Sequence, residues 1–168
     1  MRWLGTANFH GLFSRIGLAI AAACLLFASV VHAAEMKDLT QNMPRGYLGE
    51  FRWDGDKTLQ NVVVTFDSVT ALNGNRAEAL GCGAYEVNRQ VTKIKVRMLV
   101  RLPDLRVEIF ELSPEGDSLF ETRGSHRGKL SRDFQQIDAQ WVTTPSGQKG
   151  RLNLRAASSL TCAPAAST

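Results

Sequence analysis

Apolar and polar side chains alternate along this chain from Gly46 onward. The alternation is clearest over Val91–Arg101, where one set of positions is apolar and the other is largely cationic. The apolar set is Ile94, Val96, Met98 and Val100, and the cationic set is Lys93, Lys95, Arg97 and Arg101. A period of two places the two sets on opposite faces of a β-strand, one toward a core and one toward water. The pattern therefore predicts an all-β domain.

Eight segments carry this alternation, and turn residues separate them. Short strands with tight turns favour pairing between sequence neighbours. The predicted fold is an eight-stranded antiparallel up-and-down meander that closes into a small barrel, because closure removes the open edges of the sheet. A two-sheet β-sandwich is the alternative. The predicted strands are Gly46–Trp53, about Gln60–Val69, Ala77–Val87, Val91–Arg101, Leu105–Leu112, Leu119–Leu130, Gln135–Thr143 and Gly150–Ala156.

One hairpin register can be predicted from the sequence. If Pro103 and Asp104 form the loop between the fourth and fifth strands, Val100 lies opposite Val107, which matches apolar to apolar. The same register places Glu111 on the apolar side of its strand. A carboxylate in a barrel interior is costly unless it is paired or hydrated.

The first residues have the pattern of a secretory signal peptide. Arg2 and Arg15 precede the apolar run Ile16–Val31, and small residues follow at Ala33-Ala34. A basic start, an apolar middle and a small-residue cleavage site predict that residues 1–34 are a removable leader. The protein is then expected in the periplasm or secreted.

Two alternatives to a removable leader remain. The apolar run could be retained as an anchor, although it is shorter than the roughly 20 residues that span a bilayer. Cys24 could be a lipid attachment site, but it lies inside the apolar run.

With the leader removed, we expect no stable membrane span. The rest divides into an irregular segment at 35–45 with at most a short helical turn, the barrel at 46–156, and a tail at 157–168.

Charge and cysteine content narrow the class of protein. The leader holds two of the 20 basic residues and none of the 16 acidic ones, which leaves a net charge of +2. No nucleic-acid partner is required by this balance. Cys82 and Cys162 remain, and an even cysteine count in an exported domain predicts a disulfide. Two free thiols are the alternative, and no metal site or cofactor is expected.

Three short motifs resemble the calycin group, the lipocalin-like and avidin-like small barrels. They are the glycine and aromatic residues of Gly49–Trp53, the glycine-rich Gly81–Tyr85, and the tryptophan strand and hairpin of Ile137–Gly147. The resemblance implies a closed barrel able to hold a small ligand. It also implies that Arg151 or Arg155 packs on Trp53. The chain departs from lipocalins by having Phe51 where they have tryptophan, and biotin binding is not implied.

A ligand-binding site is predicted from five residues. Glu111 is the proposed polar anchor, with aromatic walls from Tyr47, Trp53, Tyr85 and Trp141. The alternatives are that these aromatic side chains only fill the core and that Glu111 sits at the barrel rim in water. An internal partner such as Tyr85 or an arginine would also account for an inward Glu111.

No catalytic motif is found in the sequence, and no enzymatic activity is expected. Ser125 and His126 are adjacent, so in a strand they point to opposite faces and cannot form a nucleophile–base pair. His126 is expected to be a surface or loop residue. Solvated strand faces account for Glu108 and Glu121.

A cationic stripe is predicted on the outer face of the barrel. It consists of Lys93, Lys95, Arg97, Arg101 and Arg106, and it predicts docking of an acidic envelope partner or, more simply, a solvated outer face. The sequence thus favours a non-enzymatic exported barrel that binds a small hydrophobic ligand or an envelope component. A protein-interaction module, such as an inhibitor or an assembly accessory, is the alternative.

Overall fold

The computed structural model describes residues 33–112, 123–143 and 147–162. It contains one short helix, α1, at residues 33–42. The eight strands are β1 Gly46–Trp53, β2 Gln60–Asn73, β3 Arg76–Val87, β4 Gln90–Arg101, β5 Arg106–Leu112, β6 Gly124–Leu130, β7 Gln136–Thr143 and β8 Lys149–Ala156.

The strands form a closed barrel in sequence order, and every neighbouring pair is antiparallel. β1 pairs with β8 from Tyr47 opposite Ala156 to Trp53 opposite Gly150, so the sheet has no open edge there. The predicted up-and-down barrel is confirmed, and the two-sheet sandwich is not formed. β2 is longer than predicted, reaching Asn73, with register shifts between Phe66 and Ser68 and near its end.

The register predicted for β4 and β5 is confirmed. Val100 lies opposite Val107, and Val96 lies opposite Glu111. This register places the alternate residues of β4, from Ile94 to Val100, in the buried core. The in–out pattern of the sequence is therefore the pattern of the barrel wall.

Residues 33–42 form a helix, which is longer than the short helical turn allowed for in the irregular segment predicted at 35–45. Met36, Leu39 and Met43 are buried in the core, because their spacing of three and four residues places them on one side of the helix. α1 leads into the start of β1, so this apolar side covers the barrel end where β1 begins. The helix was not predicted, because three apolar residues in the eleven positions 35–45 are too few to define a helical period.

Cys82 and Cys162 form the predicted disulfide, with Cα atoms 6.0 Å apart. The Thr65 hydroxyl lies 2.8 Å from Cys162 Sγ on the outer face of the neighbouring strand. The bond therefore fastens the C-terminal segment to the middle of the barrel wall.

No helix in the described part of the chain is long and apolar enough to cross a membrane. The predicted leader lies outside the described residues except for its last two positions. The same holds for residues 163–168 of the tail and for Glu121.

Candidate ligand-binding site

A row of inward-facing residues crosses five neighbouring strands at the barrel end opposite α1. Cross-strand pairing joins Ile109 to His126, His126 to Trp141, Trp141 to Gly150, and Gly150 to Trp53. Ile109, His126 and Trp141 are at most 2% exposed, and Trp53 is half-buried. The row therefore runs along the inner wall and reaches the mouth of the barrel at Trp53.

A buried polar network lies beside this row. His126 Nε2 is 2.9 Å from Oε1 of Glu111 and 3.2 Å from the hydroxyl of Tyr85. The Tyr85 hydroxyl donates to the same Glu111 oxygen. The three side chains come from β3, β5 and β6, and all three are buried. One carboxylate oxygen thus joins three strands inside the barrel.

The protonation of Tyr85 follows from its surroundings. Burial, and then the negative charge of Glu111, raise the pKa of Tyr85 well above its usual range. The phenol therefore keeps its proton and acts as a donor to Glu111. Because a carboxylate only accepts, His126 Nε2 must carry the hydrogen of the second bond. This assignment leaves Nδ1 as the free nitrogen of the ring.

Phe51 is the centre of the aromatic part of the site. Its ring contacts Trp53, Tyr85 and His126 edge to face, with centroids 4.8, 5.9 and 5.4 Å away. The His126 ring also lies 4.8 Å from that of Trp141. Edge-to-face packing of this kind favours a fixed arrangement of rings. The polar network is therefore enclosed by aromatic surface.

Two glycines make room for these rings. A Cβ atom at Gly150 would lie 2.5 Å from Phe51 Cζ, and one at Gly124 would lie 2.6 Å from Trp141 Cζ2. Both distances are far below a van der Waals contact. The glycines thus allow the large rings to lie against the barrel wall.

Two buried polar atoms of the site have no hydrogen-bond partner among the described residues. They are Nδ1 of His126 and Nε1 of Trp141. Most buried polar atoms in proteins are paired, and an unpaired one costs about 1–3 kcal/mol. Because the two rings are neighbours, both atoms belong to the same part of the interior.

The structure brings four of the five predicted binding residues together: Trp53, Tyr85, Glu111 and Trp141. Tyr47 is not among them. It lies at the other end of β1, where its hydroxyl donates to the Phe134 carbonyl at 2.7 Å. Burial, and then Asp133, raise the pKa of Tyr47, so this hydroxyl also stays protonated.

Two expectations about the polar residues were wrong. His126 is fully buried and faces the interior, not the surface or a loop. Glu111 is 6% exposed and bound by Tyr85, so it is not a hydrated rim residue. The internal partner Tyr85 was among the alternatives for Glu111. Ser125 and His126 do point to opposite faces, and the Ser125 hydroxyl donates to Glu108 on the outside.

Phe51 and His126 are the site residues that sequence reasoning missed. Phe51 shares the inward face of β1 with Trp53 and could have been found from that spacing. His126 required the pairing of β5 with β6, and the long connection between them hid the register.

The arginine contact implied by the resemblance is not formed. Arg151 and Arg155 are exposed and alternate with the buried Leu152 and Leu154 on β8. They therefore point outward, whereas Trp53 shares the inward row with Gly150.

The cationic stripe lies on the outer surface, and all five of its residues are exposed. Arg97 forms an ion pair with Glu78 at 2.6 Å, and Arg106 forms one with Asp104 at 2.7 Å. The stripe is thus partly neutralised by its neighbours.

Fold and site together define a small, closed antiparallel barrel with a polar network and aromatic rings inside one end. A scan against protein-family profiles finds no match to this chain, and a search of curated protein sequences finds no significant relative.

Proposed function

We propose that this protein is an exported, non-enzymatic, lipocalin-like barrel that binds a small hydrophobic ligand bearing one polar oxygen. The ligand would occupy the barrel end formed by Phe51, Trp53 and Trp141, beside the Tyr85–Glu111–His126 network. Apolar walls with a few convergent polar groups are typical of small-molecule sites. The calycin-like pattern of the sequence is a second source of support.

The observation that carries the proposal is the pair of unpartnered polar atoms in an aromatic surrounding. Trp141 Nε1 is a donor and has no partner among the described residues, and neither has His126 Nδ1. A hydroxyl or carbonyl oxygen on the ligand accepts from the Trp141 indole. A hydroxyl also pairs with His126 Nδ1 in either protonation state of the ring. Glu111, the anchor predicted from the sequence, is occupied by Tyr85 and His126 and serves to hold the His126 ring.

Calorimetric titration with matched probes tests this proposal. The probes are built on two apolar scaffolds, naphthalene and an eight-carbon chain. Each scaffold is tested as the hydrocarbon, as an alcohol and as a ketone. We expect probes of at least one scaffold to bind saturably. The oxygen-bearing probes should bind roughly tenfold more tightly than the hydrocarbon, since one hydrogen bond to a buried donor is worth about 1.4 kcal/mol. Absence of saturable binding by every probe would overturn the proposal.

Two variants separate the site from the rest of the core. Trp141→Phe removes the indole N–H and keeps an aromatic ring, so it should abolish the preference for the ketone and reduce the preference for the alcohol, which still has His126 Nδ1 as a partner. Tyr47→Phe removes a buried hydroxyl at the other end of the barrel and should leave that preference unchanged. If the two variants change this preference equally, the Trp141 indole is not the donor to the ligand oxygen.

Export to the periplasm or the medium is part of the same proposal. Met36, Leu39 and Met43 pack in the core, so cleavage near Ala34 preserves the folded domain. Mass spectrometry of the protein recovered from its native compartment should give an N-terminus within a residue or two of Glu35. Recovery of the uncleaved chain in the cytosol would contradict export.

A further inference from the structure

Four cations lie side by side across the outer face of the barrel. Cross-strand pairing places Arg76 opposite Arg101, Arg101 opposite Arg106, and Arg106 opposite Lys129. We call these four residues the cation row. All four are exposed, and they occupy neighbouring strands from β3 to β6. Strand spacing makes the row about 14 Å long.

The cation row is an unfavourable arrangement for the protein alone, because like charges directly opposite each other destabilise a sheet. Asp104 compensates part of it, at 2.7 Å from Arg106 Nε and 3.8 Å from Arg101 Nη2. Among the described residues, Arg76 and Lys129 make no ion pair. Asp138 on β7 lies opposite Lys129, so two carboxylates border the four cations and the row keeps an excess of positive charge.

A surface groove of about 570 Å³ adjoins the cation row. Its lining includes Arg76, Arg101, Arg106 and Arg127, with Leu99 and Glu108. Glu108 accepts from Arg127 Nε at 2.9 Å and from the Ser125 hydroxyl at 2.9 Å, so its charge is already paired. The groove thus presents several guanidinium groups around a small concave space.

We propose that this groove binds a ligand with several adjacent phosphate groups. Guanidinium groups form paired hydrogen bonds with phosphate oxygens, and they are less strongly hydrated than ammonium groups. Neighbouring strands place the cations about 4.8 Å apart. A ligand that contacts several of them at once needs closely spaced negative charges, and a chain of linked phosphates has such charges. The site is on the outer wall and is independent of the interior site.

The cation row shares Arg101 and Arg106 with the predicted stripe but crosses the strands, whereas the rest of the stripe runs along β4. Lys93 and Lys95 lie farther along that strand and pair with Ala84 and Cys82 on β3, which carry no charge. They are exposed cations outside the groove. They therefore provide a control with the same change in charge on the same outer face of the barrel.

Calorimetry at low ionic strength with inorganic tripolyphosphate as the probe tests the proposal. Citrate and orthophosphate serve as comparison anions. We expect saturable binding of tripolyphosphate, at least tenfold tighter than of either comparison anion. The double variant Arg101→Glu/Arg106→Glu should weaken binding at least tenfold, while Lys93→Glu/Lys95→Glu should change it less than threefold.

Three results would overturn the proposal: no saturable binding of tripolyphosphate, equal binding of citrate, or equal weakening by the two double variants. The last result would indicate attraction by net charge alone. Thermal unfolding serves as the folding control. The Arg101→Glu/Arg106→Glu protein gains opposite-charge contacts with Arg76 and Lys129 but loses the ion pairs with Asp104, so it should still unfold in one cooperative transition, as the wild type does.

Discussion

Nε2 of His126 lies 2.9 Å from Oε1 of Glu111, inside a barrel whose interior is otherwise largely apolar. The two residues belong to β5 and β6, and Tyr85 joins them from β3. A buried charge is stable only with such partners, and removing one partner leaves the others unsatisfied. The network therefore fixes the position of the His126 ring, which carries one of the two free polar atoms of the site.

Replacement of the Glu111 carboxylate should destabilise the fold. In Glu111→Gln the two donors from Tyr85 and His126 lose a charged acceptor, and the amide adds a donor to a site that already holds two. We expect the free energy of unfolding to fall by about 1–3 kcal/mol. Denaturant titration measures this change. Glu86→Gln, at an exposed position of β3, is the control and should be neutral; equal stabilities of the two variants would contradict a structural role for the network.

Gly150→Ala should destabilise the barrel by crowding Phe51. The added methyl group would lie within 2.5 Å of the ring, so the ring or the strand has to move, and overpacking of this kind costs about 1–3 kcal/mol. Gly74→Ala provides the comparison, because a Cβ there meets no atom within 4 Å. If both variants unfold at the same denaturant concentration, the packing of Phe51 against β8 is not as described.

The two tyrosines of the chain, Tyr47 and Tyr85, should resist ionisation in the folded protein. Their pKa values are raised above the ordinary value of 10.0, chiefly by burial. Above about pH 10 the unfolded chain therefore loses phenol protons that the folded chain keeps, and the free energy of unfolding falls as pH rises. The tyrosinate absorbance at 295 nm should stay low and then rise together with the loss of tertiary structure. A gradual rise near pH 10 in the folded protein would refute the burial of the two hydroxyls.

Removal of the Cys82–Cys162 disulfide should lower stability by about 2–5 kcal/mol, because the bond closes a long loop. The double variant Cys82→Ser/Cys162→Ser avoids a free thiol and is compared with the oxidised wild type by chemical denaturation. The barrel strands should remain, since Cys162 follows β8 and lies outside the sheet. An unchanged denaturation midpoint would mean that the C-terminal segment adds nothing to stability.

The barrel could be predicted from the sequence because its strands alternate almost without interruption. The β4–β5 register, for example, followed from one short loop and from matching Val100 with Val107. The disulfide also followed, since only two cysteines follow the predicted leader. The interior site was harder, because a buried polar residue breaks the pattern on which the prediction depends.

His126 illustrates the difficulty most clearly. Histidine between serine and arginine reads as a surface residue, and only its pairing with Ile109 and Trp141 identifies it as buried. The pairing with Ile109 depends on the register of β5 with β6, and the connection at residues 113–123 is too long for its length to fix that register. Half of the cation row, Arg101 and Arg106, belongs to the predicted stripe. Arg76 and Lys129 were missed, because they become neighbours of these arginines only through the pairing of β3 with β4 and of β5 with β6.

The most direct test of the interior site is nuclear magnetic resonance of the mature protein labelled with nitrogen-15. His126 is the only histidine after residue 34, and Trp53 and Trp141 are the only tryptophans there, so their ring signals are readily assigned. During titration with the tightest oxygen-bearing probe, we predict saturable shifts at His126 Nδ1 and at the Trp141 indole N–H, both following the calorimetric binding curve. If the probe binds while both signals stay unchanged, the ligand lies elsewhere and the proposed site is wrong.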